Sequence, residues 1–367
     1  MSDANATVSR TVSQGSNEPS CASHILGAAS PQTGGAVATD VEYAERIRRE
    51  IETYRHVENV SNLPEIHGYW AHNYVLPLLE PFGIRNEVEF YLQYVAKYLA
   101  NSEGGPATVV TLGAGNCQLE VDLAKGLLAA GMTGFTIECV DINTNMLERG
   151  RALAAEQGVS EYLRFTEADA NKWSSNRQQY GVVIANHALH HFVALEYLFD
   201  SIRSCLVPAG YFLTHDMIGR NGHMRWPEAL EIVQRFWAEL PERYKYNRLL
   251  KRHEPDYINF DCSDEGFEGI RAQDILPLLI EKFQFELFVP FGNVIDIFVD
   301  RCFGHNYDST NDWDRAFIDR VQAADQSAIN AGIVKPTHMY AALTVRPPKE
   351  LFVHGHLTPE FCVRRPG

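Results

Sequence analysis

The sequence predicts an α/β fold, and three observations carry that expectation. From residue 108 the chain alternates short apolar runs rich in β-branched residues with stretches of helical periodicity. Glycine or proline punctuates the ends of the helical stretches, at Gly131, Gly158 and the Pro208-Ala209-Gly210 turn. Apolar residues make up 45% of the chain and charged residues 22%, enough to bury a proper core.

Residues 1–40 are mainly Ser, Thr, Ala, Gly and Asn with few large side chains, and are expected to form a disordered tail because they bury too little to offset ordering entropy. VEYAERIRREIETYRHVENV (41–60) is charged and helix-forming, and IHGYWAHNYVLPLLEPFG carries apolar and aromatic bulk. Residues 41–100 thus read as a helical N-terminal extension whose Tyr69, Trp70 and Tyr74 either pack in the core or close over a ligand as a lid.

The strand candidates that follow are TVVTLG (108–113), FTIECVD (135–141), YLRFTEAD (162–169), YGVVIAN (180–186) and GYFLTHD (210–216). Helices between them show apolar positions at Leu119, Leu123 and Leu127, at Met146, Leu147 and Leu153, and at Leu195, Leu198, Phe199 and Ile202. Pro227 opens PEALEIVQRFWAELP, whose Leu230, Val233, Trp237 and Leu240 share one face and interrupt the strand rhythm. Residues 218–273 therefore read as an insertion after the fifth strand, followed by two last strands, FQFELFVPFG (283–292) and MYAALTVRP (339–347). One main domain is expected over 101–346, with 347–367 as an extended C-terminal tail.

Acidic side chains outnumber basic ones 47 to 32, a net charge of -15, so neither nucleic acid nor an anionic membrane is an expected partner. Seven widely spaced cysteines with no C-x-x-C pair read as reduced thiols, and no apolar stretch approaches the ~20 residues of a membrane helix. The expected location is cytoplasmic.

The first strand runs into Gly113-Ala114-Gly115 and then a helix. Glycines there let a ligand approach the free N–H groups of a helix N-terminus, although a tight strand-to-helix turn needs them too. Asp141 ends the second strand, where doubly wound folds accept hydrogen bonds from ribose hydroxyls. Glu167-Ala168-Asp169 follows the third, where an acid can accept an exocyclic amino group. Dinucleotide enzymes share the first two features, but the third glycine of their fingerprint would fall at position 118, which is Gln118.

The series TLGAGNCQLEVDLAKGL, ECVDINTNMLERGR, FTEADANKW and YGVVIANHALHHFVALEYLFDSIRSCLVPAGYFLTHD resembles the class I S-adenosylmethionine-dependent methyltransferases. The resemblance covers 108–216 in detail and the last two strands more loosely. It implies a Rossmann-like seven-stranded sheet with the seventh strand antiparallel, and S-adenosyl-L-methionine as cofactor. By position it places Gly113 and Gly115 under the methionine moiety, Asp141 at the ribose, Asp169 with Ala170 at the adenine and Asn186 beside the methionine amino group. The sequence departs from the family at Thr111, often an acid there, and at Cys117, often a glycine. The additions around the sheet bear a fainter likeness to accessory parts of bacterial methyltransferases acting on glycans or small metabolites.

A hydroxyl acceptor needs a base, and histidine suits that task near neutral pH, whereas a thioether needs none. His187, His190 and His191 follow the fourth strand, His215 the fifth, and His223 lies in the insertion. On a helix His190 and His191 diverge, so at most one is expected to reach the pocket. The candidate catalytic bases are His191, His215 and His223. Only Asp216 and the histidines offer metal ligands, so no metal is expected. The cluster Asp261-Cys-Ser-Asp264-Glu265-Gly-Phe-Glu268-Gly-Ile-Arg271 reads as a solvated loop or an ordered pocket loop, and Trp313 and Cys302-Phe303 have no assignment. The expected function is methyl transfer to a small-molecule or glycan acceptor at oxygen, with nitrogen or sulfur acceptors and non-catalytic cofactor binding as alternatives.

Overall fold

The computed structural model describes residues 40–55, 62–102, 104–264 and 266–364. The tail expected over 1–40 lies outside the described residues but for Asp40, as does Glu265 of the acidic cluster. Helix α1 (Asp40–Tyr54) precedes α2 (Glu65–Trp70), which runs through a wide turn at Ala71–Val75 into α3 (Leu76–Leu79). Tyr69 and Tyr74 donate to Asp319 at 2.9 and 2.7 Å, and buried Trp70 donates to Gln322 at 2.6 Å. These tyrosines and this tryptophan fasten the segment to the body of the protein. In α4 (Glu87–Asn101), Asn86 caps the N-terminus by accepting from Glu89 N–H at 2.9 Å.

The alternating unit follows in order: β1 (Thr108–Leu112), α5 (Gln118–Ala129), β2 (Thr136–Asp141), α6 (Thr144–Glu156), β3 (Leu163–Glu167), β4 (Tyr180–Asn186), α7 (Leu195–Cys205) and β5 (Leu206–Met217). The apolar face read from the sequence of α7 is buried, with Leu195, Leu198, Phe199 and Ile202 all inaccessible. The insertion contributes α8 (Pro227–Glu239), a small ribbon of β6 (Tyr246–Asn247) and β7 (Arg252–His253), and a loop that leads into α9 (Ala272–Lys282). The chain then forms β8 (Gln284–Phe291), α10 (Asp296–Val299), α11 (Asp312–Asn330), β9 (His338–Thr344), β10 (Phe352–Val353) and α12 (Pro359–Cys362). Trp313, unassigned from sequence, stacks between Tyr244 and Phe317.

The main sheet has the order β10-β8-β9-β5-β4-β1-β2-β3. β1 to β5 are parallel, and β9 runs antiparallel between β5 and β8. The expected seven strands are present, and the sheet has eight. The extra one is β10, inside the segment expected as an extended tail, where Phe352 and Val353 align with Leu287 and Phe288 of β8. Two residues carry no legible period-2 pattern, yet they occupy a sheet edge that would otherwise offer unpaired backbone groups.

β4 is the central strand, buried from Tyr180 to Ala185. Gly181 is required there because the Tyr98 ring of α4 lies against its backbone, in the volume a Cβ would fill. Gly181→Ala is expected to destabilise the fold by about 1–3 kcal/mol, the usual cost of overpacking, read as a lower urea midpoint at unchanged m-value. An unchanged midpoint would show that α4 is free to withdraw from the sheet.

Candidate active site

The carboxyl ends of β1, β2, β4 and β5 lie on one edge of the sheet, and the candidate residues sit there. Gly113 and Gly115 have φ of 75° and 54°, the left-handed region that costs glycine least. Their roles differ. A Cβ on Gly113 would come within 2.7 Å of Ala188 Cβ, so this glycine lets the turn pack beneath the loop after β4. A Cβ on Gly115 would meet only Met146 Cε at 3.4 Å, so this glycine leaves its face open to a ligand. Cys117 also adopts the left-handed region, with φ of 59°, at the position where the family often has glycine. Its thiol lies in space left by Gly150, where a Cβ would approach Sγ to 2.7 Å, so contact with α6 supports the strained turn.

Asp141 ties this turn to the end of β2. Its Oδ2 accepts from Gly115 N–H and its Oδ1 from Asn143 N–H, both at 2.8 Å. Burial raises its pKa, and the two N–H bonds oppose that shift. Beneath the turn, buried Glu120 is pushed up to about 7 by desolvation, a shift that nearby Thr111, the other departure from the family pattern, opposes.

α1 lies across this edge. Tyr43 donates to both carboxylate oxygens of Asp169, at 3.0 and 2.8 Å, and Asn143 and Arg149 donate to backbone carbonyls of Ile51, Tyr54 and Arg55. Arg46 reaches the carbonyls of Ser263 and Gly266 in the insertion. Asp169 also accepts from Asn171 N–H at 2.9 Å, at the head of a short turn that buries Ala170. Asn186, at the tip of β4, accepts from Tyr91 at 2.8 Å and helps to lower the Glu87 pKa.

The histidines form two groups. In the first, Glu87 Oε1 lies 3.0 Å from His215 Nδ1 and 3.7 Å from His187 Nε2. Against a desolvation penalty, the hydrogen bond and charge of His215 and the charge of His187 hold the Glu87 carboxyl down at about 2. His187 itself is pushed down to about 3 by desolvation and by His215. The His215 ring is stacked on Tyr340 at 3.9 Å, which fixes its plane.

In the second group, Glu268 collects three histidines. His223 Nε2 lies 2.7 Å from it, His190 Nε2 3.5 Å and His191 Nε2 3.6 Å. The expectation that His190 and His191 diverge is wrong: they belong to a single tight turn, Leu189–His191, and their rings lie 4.3 Å apart. Asp216 accepts from Ala188 and Leu189 N–H and lies 2.6 Å from His190 Nδ1. Against desolvation, the neighbouring histidines hold both Asp216 and Glu268 below the usual carboxylate range.

The structure thus brings Gly113, Gly115 and Asp141 together, joins Asp169 to α1, and splits the three candidate bases: His215 in one group, His191 and His223 in the other. Glu87, Glu50 and Tyr43 have no motif in the sequence that marks them. Glu268 lies inside the acidic cluster, whose residues 266–271 fold back onto His190 and His223 through backbone and side-chain hydrogen bonds.

The family model described as a methyltransferase domain matches residues 109–210. Solved structures similar to the chain include geranyl diphosphate C-methyltransferase from Streptomyces coelicolor A3(2) in complex with Mg2+, geranyl-S-thiolodiphosphate and S-adenosyl-L-homocysteine. It has 12% identity and a TM-score of 0.44 over 85% of this chain and 100% of that one. Another is StiE O-MT, residues 961–1257, at 11% identity and a TM-score of 0.39 over 78% of this chain and 84% of that one. No curated protein matches the chain. The family match runs from β1 into β5, the part of the sheet that bears the glycine turn and Asp141, so this chain carries a methyltransferase domain over those residues.

Proposed function

We propose that the protein methylates a hydroxyl group of a small molecule, sugars and glycans included, with His215 as general base and Glu87 as its partner. The observation that carries this reading is the Glu87–His215 pair at 3.0 Å on the ligand edge of β5. The residues around the glycine turn fit the cofactor. Gly115 leaves an open face, and Asp141 is fixed by two N–H bonds while an ionised carboxylate has lone pairs left for ribose hydroxyls. Asn186 would lie beside the methionine amino group. Asp169 and Ala170 would face the adenine once Tyr43 swings off Asp169, which makes α1 a lid over the bound nucleoside.

S-adenosylmethionine supplies an electrophilic methyl group on a sulfonium whose departure leaves a neutral thioether. What remains for the protein is alignment, exclusion of water and removal of the acceptor proton. Glu87, held ionised, accepts the Nδ1 proton of His215 and so leaves Nε2 unprotonated to receive the hydroxyl proton. Tyr340 holds the ring plane, and the His187 ring packs edge-on against it with centroids 4.1 Å apart. α1 and the 266–271 loop cover the reacting edge.

The test is incubation with methyl-labelled S-adenosylmethionine and a panel of polyhydroxylated small molecules, sugars among them, followed by NMR of the labelled product. Label on an oxygen-bound methyl supports the reading. Label on nitrogen, sulfur or carbon refutes it.

A further inference from the structure

We propose that Nε2 of His190, His191 and His223, together with the Glu268 carboxylate, form a binding site for a first-row divalent transition metal. Metal binding here stands apart from the identity of the acceptor and from the role of His215.

The spacing fits a coordination shell. Ligands ~2.0–2.2 Å from a metal in tetrahedral geometry lie roughly 3.3–3.6 Å from one another. The Glu268 oxygens stand 3.5 Å from His190 Nε2 and 3.6 Å from His191 Nε2, and 2.7 Å from His223 Nε2, whose ring joins the shell by shifting toward the other two. The ligand atoms of His190, His191 and Glu268 all fall within 4.8 Å of one another.

The surroundings orient the ligands as metal sites do. Metal-binding histidines usually give their other ring nitrogen to a carboxylate or carbonyl, which fixes tautomer and ring plane. His190 Nδ1 meets Asp216 at 2.6 Å, and Asp216 is itself locked by the N–H groups of Ala188, Leu189 and Met217. His191 Nδ1 lies 3.2 Å from a Glu50 oxygen of α1, close enough for charge attraction but outside hydrogen-bond geometry. In both rings it is Nε2 that points to Glu268.

The backbone also binds the three ligand-bearing segments to each other. Ile270 N–H donates to the His190 carbonyl at 3.0 Å, and Gly222 N–H donates to the Gly269 carbonyl at 2.9 Å. Gly269 has φ of 67°, and a Cβ there would come within 3.0 Å of Gly222 N and 3.1 Å of His223 N. A glycine on each side lets the loop bearing Glu268 close onto the turn bearing His223.

Charge and ligand type select the ion. Glu50, Asp216 and Glu268 put three carboxylates around the imidazoles, which a divalent cation offsets. Three imidazoles and one carboxylate suit Zn2+, Co2+, Fe2+ or Mn2+, whereas Mg2+ and Ca2+ prefer oxygen shells. In the neighbouring group Glu87 is the carboxylate that both His187 and His215 face, and among the described residues no second carboxylate bonds either ring. The Cys117, Glu120 and Cys139 group is fully buried and offers no entry path.

The test uses the full-length chain freed of metal by chelation and titrated with Co2+, followed by calorimetry and by the visible spectrum, which reports coordination geometry. One equivalent with the strong absorption of a four-coordinate nitrogen and oxygen site is expected. Glu268→Gln and His223→Gln should each weaken binding at least about tenfold and abolish that absorption. Asp216→Asn should weaken it by roughly 10–100-fold, as loss of an orienting partner does. His72→Gln, at an exposed histidine of the N-terminal helices, serves as control and should bind as the parent does. Circular dichroism identifies any variant that fails to fold, and His223→Gln decides the matter if Glu268→Gln unfolds. The proposal is overturned if the parent binds no Co2+, or if folded His223→Gln binds it with the parent's affinity and spectrum.

Discussion

His215→Gln is expected to lower kcat by roughly 10²–10⁴, the range of a missing general base, while affinity for S-adenosylmethionine stays within about twofold. Glutamine keeps the polarity and approximate size of the ring but cannot take up the acceptor proton. Its contacts are with Glu87, His187 and Tyr340, whereas the glycine turn is fixed by Asp141, so the cofactor should not sense the change. Glu87→Gln should reproduce much of the loss, because a neutral amide no longer stabilises the imidazolium that forms on proton uptake. The two residues act as a unit, so the double variant should be little worse than His215→Gln alone. His191→Gln and His223→Gln belong to the other group and should leave the Glu87–His215 pair intact. The decisive measurement is the pH dependence of kcat beside cofactor affinity for each variant. Should His215→Gln keep the parent's kcat and pH profile, His215 is not the base, and an acceptor that needs no proton removal, such as a thioether, becomes the better reading.

The strands and helices from 108 to 217 were legible because each buries enough residues to show its period. β4 is apolar almost throughout as a central parallel strand should be, and α7 shows one continuous apolar face. β10 was not legible: two residues have no period, and its partner β8 is some 60 residues away in sequence. The glycine turn and Asp141 could be read because strand, turn and helix lie next to one another in the chain. Glu87, Glu50 and Glu268 could not, because each reaches its histidine from a segment distant in sequence and an isolated glutamate carries no spacing rule. Reading His190 and His191 as helical neighbours failed for a local reason. Asp216 captures the N–H groups of Ala188 and Leu189, which holds the chain in one tight turn before α7 begins and turns both rings toward Glu268.

Asp141→Ala is expected to weaken cofactor binding by at least about tenfold, and by up to ~10³. In the complex two ribose hydroxyls would donate to this carboxylate, and a hydrogen bond to a charged acceptor contributes ~1.5–3 kcal/mol, against ~1.4 kcal/mol for each factor of ten in affinity. The same substitution removes the acceptors of Gly115 and Asn143 N–H, so the turn itself loses its tie to β2. Asp141→Asn separates the two effects. The amide keeps one acceptor oxygen for Gly115 N–H but sheds the charge, so its loss should fall between the parent and alanine. Neither change touches the Glu87–His215 pair, so kcat at saturating cofactor should fall far less than kcat/KM for the cofactor, the reverse of the pattern expected for His215→Gln. Calorimetry with S-adenosylhomocysteine on folded protein is the check. If Asp141→Ala binds it as tightly as the parent does, the carboxylate serves the turn alone and the ribose is held elsewhere on the sheet edge.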